Sequence, residues 1–203
     1  MRSDGRQFVL GITGASGAAY AVRLLEVLLT AECDVHLSIS ESGQTLLEQE
    51  LGLSVDLRKF DPLSLLPDLP PRAGRIVYHH CQDFMAPIAS GSFLTDGMVV
   101  CPCSGSTTSA IACGGSNNLI QRAADVHLKE RRTLVLVPRE TPLSVIQLDN
   151  LKRCAEAGAV VLPAMPGFYH GPQTIADLVD FVVARICDQL RVEHSLTRRW
   201  GSS

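Results

Sequence analysis

Two short segments rich in glycine and hydroxyl residues carry the first chemical signal of the sequence. Gly14-Ala15-Ser16-Gly17 follows the apolar run from Phe8 to Thr13, and Ser104-Gly105-Ser106-Thr107 follows the run that ends at Cys103. Small residues at a strand-to-helix turn let backbone N–H groups approach a phosphate, and the helix N-terminus adds partial positive charge. The pattern predicts a phosphate cradle with two walls. A glycine turn made for packing and a serine N-cap are the simpler alternatives.

The ligand that fits these segments best is a mononucleotide. A nucleoside-triphosphate loop would end in Gly-Lys-Ser/Thr, whereas this one reads Ser16-Gly17-Ala18. A dinucleotide site would place an acidic residue at the end of the second strand to hold a ribose. The second apolar run delivers Ser40 there, and Glu41 comes only after it. A hydroxyl suits a phosphate oxygen, so FMN is predicted rather than NAD.

Charged and phenolic side chains follow the later apolar runs. Arg139 and Glu140 lie between two prolines directly after a strand, where a ligand would bind, although Glu140 could simply begin the next helix. Arg122 and Lys129 are seven residues apart and share one helical stripe, which could face solvent or hold an anion at a subunit boundary. Tyr169 belongs to an aromatic loop that could bring a phenol to the site or only pack a corner.

The elements that must position these residues alternate between strand and helix. The predicted strands are 7–13, 34–40, 75–78, 98–101, 133–137 and 160–162, and the predicted helices are 18–31, 42–51, 143–157 and 175–190, with further helical segments through 129. Segment 61–74 is predicted to be irregular. Such alternation predicts an α/β fold with a single doubly wound, mainly parallel sheet, a flavodoxin/Rossmann-like three-layer sandwich. We expect one flavoprotein domain over 1–203, with a C-terminal tail at about 191–203.

Composition narrows the choice of partners. The chain has 203 residues, 46% hydrophobic content and a formal charge of −3. We therefore expect it to bind neither nucleic acid nor a membrane. The sequence shows no signal-like N-terminus, and we expect a cytoplasmic protein. Seven cysteines are interpreted as reduced thiols, and Cys101-Pro102-Cys103 does not have redox-pair spacing. His79-His80 lacks the pattern of further ligands that a metal site needs, so no metal is expected.

Six segments of the chain match a known family in order. Together they resemble the UbiX-type flavin prenyltransferases, within the homo-oligomeric flavoproteins that include phosphopantothenoylcysteine decarboxylase, and the resemblance runs from about Phe8 to Trp200. The matching segments are Thr13-Gly14-Ala15-Ser16-Gly17, Ala89-Ser90-Gly91-Ser92-Phe93, Pro102-Cys103-Ser104, Arg122-Ala123-Ala124-Asp125-Val126 with Leu128-Lys129-Glu130-Arg131-Arg132, Pro138-Arg139-Glu140-Thr141-Pro142, and Gly167-Phe168-Tyr169-His170.

The resemblance implies a metal-independent transferase that joins a dimethylallyl group from dimethylallyl monophosphate to reduced FMN at N5 and C6. The product, prenylated FMN, would serve a UbiD-type decarboxylase, in the context of ubiquinone biosynthesis. It also implies a homo-oligomer, a dodecamer, with the site between subunits.

Site residues follow from the same motifs. The resemblance implies that FMN is held by Gly14, Ala15, Ser16, Ser40, Ser104, Gly105, Ser106, Thr107 and Arg139. It implies that the prenyl phosphate is bound by Arg122, Lys129, Tyr169 and Arg185, with the aromatic wall Phe84 where related chains often carry Trp. Glu140, Ser16, Glu50 and Lys129 are the catalytic candidates; Glu140 would share a proton with the departing phosphate, and Glu48 is an alternative alignment for Glu50.

Two alternatives are carried with this interpretation. One is an FMN-dependent decarboxylase of the phosphopantothenoylcysteine or aromatic-acid type. The cysteine-type enzymes use a catalytic His after the first glycine loop, where this chain has Ala18-Ala19-Tyr20. The other is a non-catalytic flavin carrier, which would need the phosphate cradle but not the cationic residues.

Overall fold

A computed structural model describes residues 5–67 and 74–197 of the chain. Its elements, in chain order, are β1 (Gln7–Ile12), α1 (Ala18–Thr30), β2 (Asp34–Ile39), α2 (Glu41–Leu51), a 3₁₀ turn (Pro62–Ser64), β3 (Ile76–Tyr78), a second 3₁₀ turn (Pro87–Ala89), β4 (Gly97–Cys103), α3 (Gly105–Ala112), α4 (Leu119–Lys129), β5 (Leu134–Pro138), α5 (Val145–Glu156), β6 (Val160–Val161) and α6 (Ile175–Leu190). The six strands form one sheet in the order β3-β2-β1-β4-β5-β6, and every neighbouring pair is parallel. The predicted α/β doubly wound fold is therefore confirmed, with the strand order of a Rossmann sheet.

An instructive difference from the predicted boundaries occurs in β4. β4 was predicted to end at Cys101, but it continues to Cys103, and its register with β5 shifts between Val100 and Cys103. Pro102 cannot donate a hydrogen bond to a neighbouring strand, so the ladder is interrupted there rather than ended. Of the predicted irregular stretch and C-terminal tail, residues 68–73 and 198–203 lie outside the described part.

The two faces of β1 determine which helices lie on which side of the sheet. Phe8, Leu10 and Ile12 pack in one core cluster with residues of α1, α2 and α6. Val9 packs in a second cluster on the opposite face, with residues of α3, α4 and α5. A Cβ at Gly11 would lie 2.7 Å from Cγ2 of Ile120, so glycine is needed for α4 to pack directly on β1. Among the described residues, no helix combines the length and the apolar character needed to cross a membrane.

One buried histidine ties α4 to the loop before β4. His127 is 1% exposed; its Nδ1 lies 2.7 Å from the Ala123 carbonyl and its Nε2 2.8 Å from the Thr95 hydroxyl. A carbonyl only accepts, so Nδ1 carries the proton and Nε2 accepts from Thr95. Burial, opposed by the Ala123 hydrogen bond and reinforced by the Arg132 charge, lowers the pKa of His127 to about 4.

We expect this histidine to make the fold sensitive to acid. An unfolded histidine has a pKa of about 6.5, so between about pH 6.5 and 4 the unfolded chain binds a proton that folded His127 does not. The free energy of unfolding should fall as the pH is lowered through that window, by up to about 3 kcal/mol from this group. Urea unfolding at a series of pH values measures the slope, and His127→Gln should flatten it. An unchanged slope in that variant would contradict the assignment.

Candidate functional site

The carboxyl ends of β1 and β4 form the centre of the candidate site. The order of the strands reverses between these two neighbours, which is where an open α/β sheet leaves a crevice for ligands. The Thr13 hydroxyl donates to the Pro102 carbonyl at 2.8 Å and accepts from the Ser104 N–H at 2.8 Å. Thr13 thus fixes the Gly14–Gly17 turn and the Ser104 turn side by side. Sequence reasoning assigned Thr13 no such role.

The first turn already holds an anion, which is Glu50. Its carboxylate Oε2 accepts from the N–H groups of Gly17 at 2.9 Å and Ala18 at 2.8 Å, at the start of α1. In this structure the anion at the start of α1 is therefore supplied by the chain itself, and the phosphate-cradle role of the turn stays a prediction. Of the two glutamates considered from the sequence, Glu50 and not Glu48 contacts the turn.

Glu50 is held in its ionised form. Partial burial alone would raise its pKa, but hydrogen bonds from the Ser16 side chain and from the two backbone N–H groups, with the charge of Arg139, lower the pKa below its usual value. The Nε of Arg139 donates to the Ser16 carbonyl at 3.2 Å. The structure thus brings together Ser16, Glu50 and Arg139, three residues singled out from the sequence.

The second turn carries a cluster of hydroxyl groups. The Ser104 hydroxyl accepts from the Thr107 N–H at 3.3 Å and lies 3.1 Å from the Ser106 hydroxyl and 3.0 Å from that of Thr107. Ser104 is therefore the N-cap of α3, which is the simpler of the two predicted roles. The cap uses only one N–H of the first helical turn, so the N–H groups of Gly105 and Ser106 still point to an anion-binding position.

Ser40 and Gly14 form the third side of the crevice. Ser40 is the N-cap of α2, because its hydroxyl accepts from the Gly43 N–H at 3.0 Å. A Cβ at Gly14 would lie 2.4 Å from Cβ of Ser42, so only glycine lets the first turn pass this close to α2. The hydrogen of the Ser40 hydroxyl remains available as a donor toward the crevice.

Glu140 lies beside a cleft at the ends of β5 and β6. Pro138, Leu143, Leu151, Pro163 and Met165 contribute to the cleft, together with Arg139 and Glu140. The side chain of Glu140 accepts only from the Thr141 N–H of its own turn, at 3.1 Å, and is exposed in the single chain. A carboxylate at an apolar cleft is a candidate proton acceptor. The aliphatic wall made by Leu143 and Leu151 was not predicted from the sequence.

The proposed phosphate-binding cations form two separate groups. In the first group, Arg122 and Lys129 lie on α4; Nε of Arg122 donates to the Ala89 carbonyl at 3.1 Å and its Nη1 pairs with Asp125 at 2.8 Å. Lys129 pairs with Glu130 at 2.5 Å. A Cβ at Gly91 would lie 2.9 Å from Nζ of Lys129, so both cations border the loop that contains Ala89 and Gly91.

The second group lies on α6. The Tyr169 ring packs edge to face on Phe181, with centroids 5.8 Å apart, and Arg185 follows Phe181 by one helical turn. Tyr169 is 71% exposed. Tyr169 and Arg185 therefore present one phenol and one guanidinium from the same side of α6.

These two groups do not meet within one chain. α4 and α6 cover opposite faces of the sheet, so Arg122 and Lys129 are separated from Tyr169 and Arg185 by the sheet itself. Phe84 follows β3 and is 44% exposed in its loop. Within residues 5–67 and 74–197, no group of three or more His, Cys, Asp or Glu side chains is placed to hold a metal ion.

Comparison with known proteins identifies relatives over almost the whole chain. The Flavoprotein family model matches residues 2–187. The flavin prenyltransferase UbiX of Halalkalibacterium halodurans is 48% identical over 196 residues, which cover 96% of this chain and 93% of the relative.

Two crystal structures share the fold at similar coverage. AnUbiX (PadA1), in complex with FMN and dimethylallyl pyrophosphate, has a TM-score of 0.86 and 38% identity, covering 98% of this chain and 99% of that one. A dodecameric FMN-dependent UbiX-like decarboxylase from Escherichia coli O157:H7 has a TM-score of 0.84 and 41% identity, covering 97% and 100%.

The cap made by Glu50 gives a direct stability test. Glu50→Ala leaves the Gly17 and Ala18 N–H groups without this acceptor, and we expect a loss of about 1 kcal/mol in the free energy of unfolding, the usual worth of an N-cap. Glu50→Gln keeps one acceptor oxygen and should lose less. Glu48→Ala, two residues away on the same helix, is the matched control. Equal losses in the Glu48 and Glu50 variants, measured by urea unfolding, would show that the cap contributes nothing.

Proposed function

This chain belongs to the Flavoprotein family and, within it, to the UbiX flavin prenyltransferases, and we propose on that basis that it joins a dimethylallyl group from dimethylallyl monophosphate to reduced FMN at N5 and C6. The observation that supports the proposal is the presence of two separate features whose chemistry suits an anion. One is the hydroxyl-lined N-terminus of α3, and the other is the divided set of cations on α4 and α6. A prenyl transfer to FMN needs both, one for each phosphate.

The crevice at β1 and β4 fits FMN. The open N–H groups of Gly105 and Ser106 and the hydroxyls of Ser104 and Thr107 suit a monoester phosphate. Gly14, Ala15, Ser16, Ser40 and Arg139 complete the proposed contacts, on the side of the crevice where Glu50 already occupies the start of α1. When bound, reduced FMN supplies the nucleophilic nitrogen and carbon that accept the prenyl group.

The prenyl phosphate is proposed to bind between subunits. Arg122 and Lys129 of one copy and Tyr169 and Arg185 of another would close around it, because one chain cannot bring them together. We propose a dodecamer, the assembly reported for the Escherichia coli relative. The exposed apolar residues Val145, Ile146 and Ile175, each more than 70% exposed in the single chain, supply surface for such contacts.

The chain's own residues perform two tasks in the reaction. Cations around the phosphate stabilise the negative charge that builds as the carbon–oxygen bond breaks, which is usually the largest electrostatic contribution to catalysis. The freed phosphate would take up the proton that leaves N5 and return it to the double bond of the prenyl group as that group bonds to C6, and Glu140 would accept the proton that leaves C6. Phe84 and the aliphatic cleft around Leu143 exclude water from the allyl cation.

The product is proposed to serve a UbiD-type decarboxylase, and the activity is placed in the cytoplasm. The seven cysteines are free thiols, and six of them are buried, which fits a reducing compartment. The decarboxylase alternative is not favoured, because the chain is 48% identical to a flavin prenyltransferase and has Ala18-Ala19-Tyr20 where the cysteine-type decarboxylases use a histidine. The flavin-carrier alternative is not favoured, because a carrier needs no cations on α4 and α6.

Mass spectrometry tests the activity directly. The protein is incubated without oxygen with reduced FMN and either dimethylallyl monophosphate or dimethylallyl pyrophosphate, and the flavin is extracted. We expect prenylated FMN with the monophosphate. Lys129→Ala and Arg185→Ala should retain FMN and lose turnover, since their partner is the prenyl phosphate. A wild-type protein that binds FMN but leaves it unmodified with both donors would refute the proposal, and a variant that loses FMN would refute its assigned role.

Mixed oligomers test the division of the site between copies. Lys129→Ala and Arg185→Ala chains are inactive separately, but co-assembly at equal amounts should restore about a quarter of the wild-type rate, because that fraction of random interfaces pairs an intact Lys129 with an intact Arg185. Homo-oligomers of each variant, treated identically, are the controls. No recovery in verified mixed oligomers would place both residues in one chain's site.

Glu140→Gln tests the proton acceptor. The amide keeps the shape of the side chain and cannot take up a proton, so FMN and the prenyl phosphate should bind as in the wild type while product formation falls about 100-fold. Glu156→Gln, at the far end of α5, is the matched control. Product formation by Glu140→Gln at the wild-type rate between about pH 6 and 8 would show that Glu140 is not the proton acceptor.

A further inference from the structure

Three polar side chains, two near the end of α6 and one in the segment after it, contact one another in series. Nη1 of Arg185 lies 2.9 Å from Oδ2 of Asp188, and Oδ1 of Asp188 lies 3.2 Å from Nε2 of His194. Burial increases along this series, because the side chains of Arg185, Asp188 and His194 are 56%, 19% and 3% exposed. A surface arginine is thus tied, through a mostly buried carboxylate, to a buried imidazole.

The segment that carries His194 is itself fixed to the core. Val192 is 4% exposed, and Leu196 packs against the core cluster under α1 and α6. Arg6, at the start of the chain, donates to the carbonyl of Arg191 at 2.7 Å. His194 therefore lies in a rigid position from which its Nε2–H can orient the carboxylate of Asp188.

We propose that Asp188 is a positioning residue for Arg185 and that His194 holds Asp188 in place for this purpose. The inference rests on the proposed function, in which Arg185 binds the phosphate of the prenyl donor. Asp188 and His194 do not touch the substrate. They act by holding the guanidinium in the orientation that the phosphate needs.

The geometry of the ion pair supports this role. A half-exposed arginine has many rotamers, and binding an anion would otherwise cost the entropy of fixing one of them. Asp188 engages Arg185 at Nη1, which leaves Nη2 and Nε to donate to a phosphate as a planar fork. The hydrogen bond from His194 engages Oδ1 of Asp188, which leaves Oδ2 to meet Arg185 and fixes the carboxylate in one orientation.

The position of Arg185 along α6 makes its direction matter. Phe181, which carries the Tyr169 ring on its edge, precedes Arg185 by four residues, and Asp188 follows it by three. Tyr169, Arg185 and Asp188 therefore lie along one side of the helix. Asp188 lies on the side of Arg185 away from Phe181, so the ion pair fixes the guanidinium about one helical turn from the position of Tyr169, where a phosphate could contact both side chains.

Calorimetric titration of dimethylallyl monophosphate into the assembled, FMN-loaded protein tests the proposal. Asp188→Ala, Asp188→Asn and His194→Leu should weaken binding about tenfold and raise the KM for the donor by a similar factor, with kcat changed less than about twofold. His194→Gln can place an N–H near the position of Nε2 and should restore binding. The affinity for FMN should not change in any of them. Glu156→Gln, which breaks an ion pair on α5, is the control and should behave as the wild type.

A double-mutant cycle separates positioning from general stability. In an Arg185→Ala background, Asp188→Ala should have no further effect on binding of the monophosphate, because its only route to the phosphate has been removed. An equal loss in both backgrounds, or no loss in the Asp188→Asn variant with a native unfolding profile, overturns the proposal. If the wild type binds the monophosphate but forms no prenylated FMN, the proposed function fails while the binding cycle still decides this inference. If it does not bind the monophosphate, both fail.

Discussion

The Thr13 side chain is the interaction on which the arrangement of the site depends. The ladder between β1 and β4 has its last regular pair at Gly11 and Val100, and Pro102 cannot donate a backbone hydrogen bond beyond it. The buried Thr13 hydroxyl, 2% exposed, bridges the Pro102 carbonyl and the Ser104 N–H instead. It therefore sets the separation of the starts of α1 and α3 at the crevice where the strand order reverses. The Thr13 N–H donates to the same Pro102 carbonyl at 3.2 Å, so the backbone and the side chain of this one residue together hold the two turns at a fixed separation.

The sequence predicted most of the fold because the relevant signals are local. Alternating apolar runs, glycine turns and capping residues such as Ser40 and Ser104 specify strands, helices and their junctions within a few residues. The continuation of β4 through Pro102 was not predicted, because it depends on contacts between residues that are distant in sequence. A proline in an apolar run normally marks the end of a strand, but here the pairing of Cys103 with Pro138 and the contact with Thr13 keep the chain in the sheet beyond it.

The candidate site was predictable as a set of residues but not as an arrangement. Arg139 and Glu140 follow a strand and were expected at the carboxyl edge, where the structure has them. The location of Glu50 on the start of α1 depends on how α2 packs back over the first turn, which residue spacing does not encode. The separation of Lys129 from Arg185 depends on which face of the sheet each helix covers. Helical periodicity identifies the buried side of a helix but not the face of the sheet on which that side packs.

A carboxylate at the start of α1 has a consequence for the chemistry of the crevice. A free helix N-terminus would bind any available anion, including the phosphate of the prenyl donor, and would compete with the intended site. Glu50 satisfies the Gly17 and Ala18 N–H groups and places a negative charge at this end of the crevice. In the proposed function the start of α3, capped by a neutral serine, is then the end that favours the flavin phosphate, and Arg139 donates to the Ser16 carbonyl at the other end. If the proposed function holds, a crevice with two helix N-termini would thus bind the flavin phosphate in a single orientation, because the chain itself satisfies one of them.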